Sequence, residues 1–228
     1  MITVVGIGPG ATANQTLAAL DAISQAEILV GGKRHLDEFP YFNGETRRVN
    51  ADVDGLMQWL ERNQHRQIVV LASGDPLFYG IGKRITEHFS GLHISGLHIS
   101  GLHTGEQNAG RQNIRIISGI SSIQYLCAQI LLDMNDIYLT SSHGRKPDFD
   151  WLLQHEKIAM VTDDIIGPYQ IAQEILARGQ QRRMVIGKNL SHEHEQIICL
   201  AAEEVVQRGN INYGLNVVVI LNGDPDER

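Results

Sequence analysis

Cysteine is scarce. Cys127 and Cys199 are too few for a disulfide framework in a chain of 228 residues. Each lies inside an apolar stretch, so the sequence predicts two core thiols in a reducing compartment, the cytoplasm. Long hydrophobic runs are missing too. No stretch of about 18 apolar residues is present to span a membrane, and the opening MITVVGIG lacks the basic n-region of a signal peptide. Positive charge is also short: 19 Lys and Arg against 26 Asp and Glu give a formal net charge of -7. That balance argues against a broad nucleic-acid-binding face, because such faces neutralise phosphates with Lys and Arg. An anionic ligand must be held by local basic clusters, for which Lys33-Arg34-His35, Arg47-Arg48, Arg145-Lys146 and Arg182-Arg183 are the candidates.

Familiar catalytic patterns are absent as well: no G-x-S-x-G elbow, no H-E-x-x-H and no C-x-x-C pair. The run His192-Glu193-His194-Glu195 reads as a hydrated turn between two strands rather than a metal site. SGLHISGLHISGLHTG, residues 90–105, is a tandem five-residue unit carrying His93, His98 and His103. Steps of five put neighbouring residues about 140° apart on a helix and on opposite faces of a strand, so no regular element gathers the three imidazoles. The segment reads as a duplicated insertion, and no metal is expected.

What is present is the rhythm of an α/β protein. Apolar β-branched runs predict strands at residues 2–8, 27–32, 46–50, 67–73 and 113–118, with helical patterns at 14–24, 52–63, 78–88 and 121–132. That alternation gives a mostly parallel sheet. A second series of strands is predicted at 136–141, 157–163, 183–189, 196–201 and 216–222, with helices at 169–178 and 201–208. Only the short SHEHE turn separates the strands at 183–189 and 196–201, so they must run antiparallel and the second sheet is mixed. The chain thus reads as two α/β domains, residues 1–134 and 135–228, with the hinge at 133–136.

Three motifs fall at the carboxyl ends of strands predicted in the first domain, where open α/β sheets bind ligands. These are GIGPG at 6–10, SGDPLFYGIG at 73–82 and SGISS at 118–122. GIGPG is not a dinucleotide fingerprint, because its third glycine comes one residue early and the second strand ends in Val30-Gly31-Gly32-Lys33 without a carboxylate. Pro9 also removes one backbone donor from a would-be phosphate cradle. Gly-Asp-Pro alone makes a good turn and Ser121 or Ser122 alone a good helix cap; their shared position lets one crevice use all three loops.

Taken together, GIGPG, GDPLFYG and GISS, followed by KNLSHEHEQI, closely resemble the tetrapyrrole (corrin/porphyrin) methylase family. The resemblance covers nearly the whole chain apart from the SGLHI repeat. VGGKRHL at 30–36 and SSHGR at 141–145 are similar to the subgroup that methylates C5 of cobalt-precorrin-7 in anaerobic cobalamin synthesis. The resemblance implies S-adenosylmethionine in a cleft between the two domains, with the tetrapyrrole nearby. Position by position, it implies cofactor binding by Pro9, Ser73, Gly74, Asp75, Phe78, Ser121, Ser122, Thr162 and Asn189. Lys188 stands where relatives commonly carry Glu. A polycarboxylate substrate on an acidic protein calls for cations, and Lys33, Arg34 and Arg145 are the candidates. A homodimer, and a C15-methylating decarboxylase as pathway partner, are implied in the same way. Other acceptors within the family, namely uroporphyrinogen III, a diphthine precursor or ribosomal RNA, and a non-catalytic cofactor- or corrinoid-binding subunit stay open as alternatives. The acidic balance disfavours RNA.

Overall fold

The protein's structure, a computed structural model, describes residues 1–50, 52–90 and 114–223. His93, His98 and His103 lie outside the described residues. The chain forms two compact units, Met1–Ser121 and Ser122–Arg228.

The first unit runs β1 (Ile2–Gly6), α1 (Leu17–Ser24), β2 (Ile28–Gly31), α2 (Lys33–Asp37), β3 (Glu45–Arg48), α3 (Val53–Asn63), β4 (Ile68–Ala72), α4 (Gly82–Ser90) and β5 (Ile114–Ile117). Its sheet has the order β3-β2-β4-β1-β5, and each neighbouring pair is parallel. Strands covered on both faces read as unbroken apolar runs, which is why β1, β2 and β4 are buried along their whole length. Alternate residues serve opposite faces. Val5, Leu29 and Leu71 pack with Ala19 and Ile23 of α1 and with Leu36 of α2. Val4, Val30 and Val70 pack with Leu56 and Leu60 of α3 and with Ile85 of α4.

Helices α1 and α3 begin where side chains cap them. Thr16 accepts from the Ala19 amide at 3.1 Å, so α1 starts at Leu17, and a short 3-10 turn, Thr12–Asn14, replaces the helical start predicted there. Asp52 caps α3 in the same way through the Gly55 amide at 2.8 Å. The helix expected from residue 78 starts at Gly82 instead, because the Gly82 amide is held by the Pro76 carbonyl at 2.9 Å and the intervening residues turn.

The second unit runs α5 (Ser122–Gln129), β6 (Ile137–Ser141), α6 (Phe149–Leu152), β7 (Lys157–Val161), α7 (Pro168–Ala177), β8 (Arg182–Lys188), β9 (Gln196–Ala201), α8 (Ala202–Gln207) and β10 (Asn216–Asn222). The sheet order is β6-β7-β10-β8-β9; only β6 and β7 pair in parallel, giving the mixed sheet expected. Helices α6, α7 and α8 bury Leu152, Ile171 and Val205 against Met160, Ile186 and Val218. Helix α5 groups with this unit, ahead of the hinge placed at 133–136, because it packs on β7 and β10. Gly187 makes room: a Cβ there would stand 3.1 Å from Cδ1 of Leu126. Cys127 is buried, but Cys199 is exposed, since β9 is an edge strand; only one of the two expected core thiols is in the core. No helix among the described residues is long and apolar enough to cross a membrane.

Candidate functional site

In the first sheet, β1 and β4 are neighbours whose connections depart to opposite sides. The chain leaves β1 through α1 toward β2, and leaves β4 through α4 toward β5, with α1 and α4 on opposite faces. Diverging connections leave a crevice above the carboxyl ends of the two strands, the place where doubly wound sheets bind their ligands.

Backbone fills the floor of that crevice. Beyond the parallel ladder, Gly8 and Gly74 form an antiparallel bridge, with the Gly74 amide 2.8 Å from the Gly8 carbonyl. Both glycines adopt left-handed conformations, φ 76° and 60°, which residues bearing a Cβ seldom accept. The loop after β5 closes on the same spot: a Cβ on Gly6 would lie 2.6 Å from the Gly119 amide nitrogen, and one on Gly74 3.2 Å from Cα of Ser121. The structure thus brings Pro9, Ser73, Gly74, Asp75 and Ser121 together at one end of the first sheet. Pro9 is half-buried, Ser121 is buried and Ser73 is exposed. Asp75 fastens two of the loops, one carboxylate oxygen accepting from the Leu77 amide at 2.8 Å and the other from the Gly119 amide at 3.2 Å. Phe78 stands edge-on to Tyr79, ring centroids 4.8 Å apart, in the turn that leads to α4.

Helix α2 adds side chains to this end of the sheet. The chain passes from β2 through Gly32 directly into α2, which carries Lys33, Arg34 and His35, and the bare Gly31 lets that helix pack close, since a Cβ there would stand 3.2 Å from Cβ of His35. An Arg34 Nη donates to Ser73 Oγ at 2.8 Å, and Nε2 of His35 lies 2.7 Å from the same oxygen. Burial, reinforced by the Arg34 charge, lowers the His35 pKa to about 4, so the imidazole is neutral near pH 7. Its Nδ1 is buried without a hydrogen-bond partner. One turn on, burial raises Glu38 to about 7, a shift that the Arg34 charge opposes. Lys33 is exposed.

In the second unit, Thr162 and Asn189 stand just past the ends of β7 and β8 and flank the start of β10. Thr162 Oγ1 bonds the Asn216 carbonyl at 2.8 Å and Asn216 Oδ1 at 2.7 Å. The Asn189 amide donates to the Leu215 carbonyl at 2.9 Å, and Asn189 itself is left-handed at φ 49°. Ser122 opens α5 and is half-buried. Arg145 is exposed, its Nε bonded to the Ser141 carbonyl at 2.8 Å. The residues 192–195 form a turn, as expected: Glu195 accepts from the Ser191 amide at 2.5 Å and bonds Tyr125 of α5. Among the described residues, no group of three or more His, Cys, Asp or Glu is placed to hold a metal ion.

Two features escaped the sequence. The pairing of Ser73 with Arg34 and His35 spans 39 and 38 positions, and nothing local to GDP or KRH announces it. Asn216, which receives both bonds from Thr162, is silent for the same reason. The one usable signal is the Gly31-Gly32 pair, which marks where β2 ends but not what the following side chains reach.

A doubly wound sheet with glycine loops converging at its switch point, carried with a second, mixed-sheet unit, defines a two-unit α/β protein of the architecture in which ligands bind at the carboxyl ends of strands. The family profile of the Tetrapyrrole (Corrin/Porphyrin) Methylases matches residues 1–206. A Salmonella typhimurium protein named cobalt-precorrin-7 C(5)-methyltransferase is 48% identical over 223 residues, covering 97% of this chain and 99% of that one. The chain belongs to the tetrapyrrole (corrin/porphyrin) methylase family, a family of methyltransferases. Two solved structures share its fold. The precorrin-6Y methylase of Archaeoglobus fulgidus superposes with a TM-score of 0.69 at 19% identity, covering 98% of this chain and 99% of the other. The uroporphyrin-III C-methyl transferase of Thermus thermophilus, solved with S-adenyl homocysteine, superposes at 0.73 with 17% identity, covering 96% of each chain.

Proposed function

We propose that this chain methylates C5 of cobalt-precorrin-7 in anaerobic cobalamin synthesis, with S-adenosylmethionine as donor. The observation that supports it is the 48% identity along nearly the whole chain to the Salmonella typhimurium protein bearing that name.

The residues suit such a donor. Loops packed backbone on backbone at Gly6, Gly74 and Gly119 leave no room for a Cβ between them, so the three strand-end loops that would face the donor are held together by main chain alone. Bound S-adenosylmethionine supplies an electrophilic methyl on a sulfonium. The tasks left to this chain are to orient that methyl, to keep water out and to anchor a flat polyacid. Pro9, Ser73, Gly74, Asp75, Phe78 and Ser121 of residues 1–134 hold the donor, together with Ser122; residues 135–228 contribute Thr162 and Asn189. Lys33, Arg34 and Arg145 anchor substrate carboxylates. No side chain is assigned as general base. The protein works in the cytoplasm as a homodimer, beside a separate enzyme that decarboxylates the corrinoid and methylates C15.

Mass spectrometry and carbon NMR of the product formed by the pure chain from cobalt-precorrin-7 and methyl-labelled donor test this reading. One added label at C5 is expected. A label at another carbon, or turnover only when a second protein is added, overturns it.

A further inference from the structure

We infer that Arg34, His35 and Ser73 form a carboxylate-binding subsite in which His35 fixes the Ser73 hydroxyl as a hydrogen-bond donor. The inference rests on the methyltransferase reading for the source of the carboxylate, not for the subsite itself.

The geometry carries it. Ser73 Oγ lies 2.8 Å from an Arg34 Nη and 2.7 Å from His35 Nε2. Arg34 carries no proton acceptor, so it must donate to Oγ. The imidazole hydrogen is assigned from its surroundings. Placed on Nδ1, it would be a buried N–H with no acceptor; placed on Nε2, it leaves a bare lone pair at Nδ1, the smaller penalty. With the hydrogen on Nε2, the serine oxygen receives two hydrogens and its own O–H must point elsewhere. Arg34 stands 3.4 Å from Nε2, too long to compete with its bond to Oγ. Ser73 and Arg34 are exposed, so the hydroxyl hydrogen and the remaining guanidinium N–H groups face outward at the carboxyl end of β4. Among the described residues Arg34 has no carboxylate partner; Glu38 feels its charge without pairing to it.

Such a group of donors takes a carboxylate, because charge-assisted bonds from guanidinium and hydroxyl to one anion are about twice as strong as neutral ones. Two sources carry that chemistry: the peripheral acids of a tetrapyrrole and the α-carboxylate of the methyl donor. His35 is a positioning residue here. Neutral and packed close over Gly31, where a Cβ would stand 3.2 Å from its own Cβ, it touches the ligand only through Ser73.

Two probe pairs, each differing in carboxylate, test the subsite on the full chain. Uroporphyrin and its octamethyl ester are titrated by absorbance; S-adenosylhomocysteine and methylthioadenosine are titrated by calorimetry. Arg34→Ala, Ser73→Ala and His35→Ala are expected to weaken the carboxylated member of one pair by about tenfold. The uncarboxylated member should be unchanged, which also reports an intact fold, and the pair that responds identifies the source. His35→Gln, which keeps an N–H near the Nε2 position, restores affinity. The subsite is overturned if the variants bind both carboxylated probes like the parent, if both members of a pair weaken alike, or if His35→Gln is as weak as His35→Ala. Failure of the parent chain to methylate cobalt-precorrin-7 would sink the proposed function while leaving these affinities to stand or fall alone.

Discussion

The carbonyl oxygen of Gly74 occupies the space that a Cβ on Gly119 would need, so the loops after β4 and β5 meet without any side chain between them. Gly6 closes the third side, its own carbonyl 2.8 Å from the same would-be Cβ. Both neighbours are backbone held in or beside the sheet, and neither can swing aside.

Gly119→Ala therefore forces main chain apart. Overpacking of this kind costs about 1–3 kcal/mol, and backbone on two sides places the cost near the upper end. A fall in melting temperature of roughly 6–12 °C follows for a chain of this size, together with loss of S-adenosylhomocysteine uptake in calorimetry. Gly144→Ala is the control: Gly144 is left-handed at φ 68° but has nothing within 4 Å of its would-be Cβ, so only about 1 kcal/mol is expected. Equal destabilisation of the two variants would show that the close approach is relaxed in solution.

Asp75 tests whether its carboxylate acts on the loops or only on a ligand. Replacing it by Asn turns one acceptor into a donor, which meets the amide of either Leu77 or Gly119 head-on. Hydrogen bonds to a charged acceptor contribute about 1.5–3 kcal/mol. The urea midpoint of Asp75→Asn should drop accordingly even without any ligand. An unchanged midpoint with weakened donor binding would mean that the carboxylate serves the ligand alone.

The sheets and the loop cluster were legible because the responsible signals are local. Ile68–Ala72 is an unbroken apolar run because both of its faces are covered, and the glycines of GIGPG, SGDP and SGIS sit where three parallel strands end. The resemblance to the methylases rests on those same loops. Helices α2 and α6 were illegible for a physical reason: five and four residues are too few to display a helical period. The role of Asp75 was hidden because its partner Gly119 lies 44 residues away. Helix α5 follows a first-unit loop in sequence but owes its packing to Gly187, a dependence that no local pattern encodes.

Thr162 offers a cleaner test in the second unit. Asn216 Nδ2 donates to the Gly214 carbonyl at 2.8 Å, which fixes its Oδ1 as an acceptor. The one Thr162 hydroxyl hydrogen must then be shared between that oxygen and the Asn216 carbonyl. Thr162→Val keeps the shape and removes the hydrogen, stranding two acceptors at a cost of about 1–3 kcal/mol. Under the proposed function the variant should also lose affinity for S-adenosylhomocysteine, whereas Thr162→Ser should retain both properties. A Thr162→Val chain as stable as the parent would place the hydroxyl in contact with water instead.

His35 and Glu38 make stability depend on pH in opposite senses. The folded His35 pKa, about 4, lies below its ordinary 6.5, so the unfolded chain takes up the proton first as pH falls. Stability present above pH 6.5 is thus lost between 6.5 and about 4. Glu38 is raised from 4.5 to about 7, so the folded chain holds that proton longer, and stability present below pH 4.5 is lost as pH rises toward 7. Across the shared window the two slopes oppose each other, and the parent should show little net contribution from the pair. Single variants unmask them. In melts between pH 4.5 and 6.5, His35→Gln should lose stability relative to the parent as pH rises, with Glu38 acting alone. Glu38→Gln should lose it relative to the parent as pH falls, with His35 acting alone. Slopes of the same sign in both variants would contradict the burial of one of the two groups.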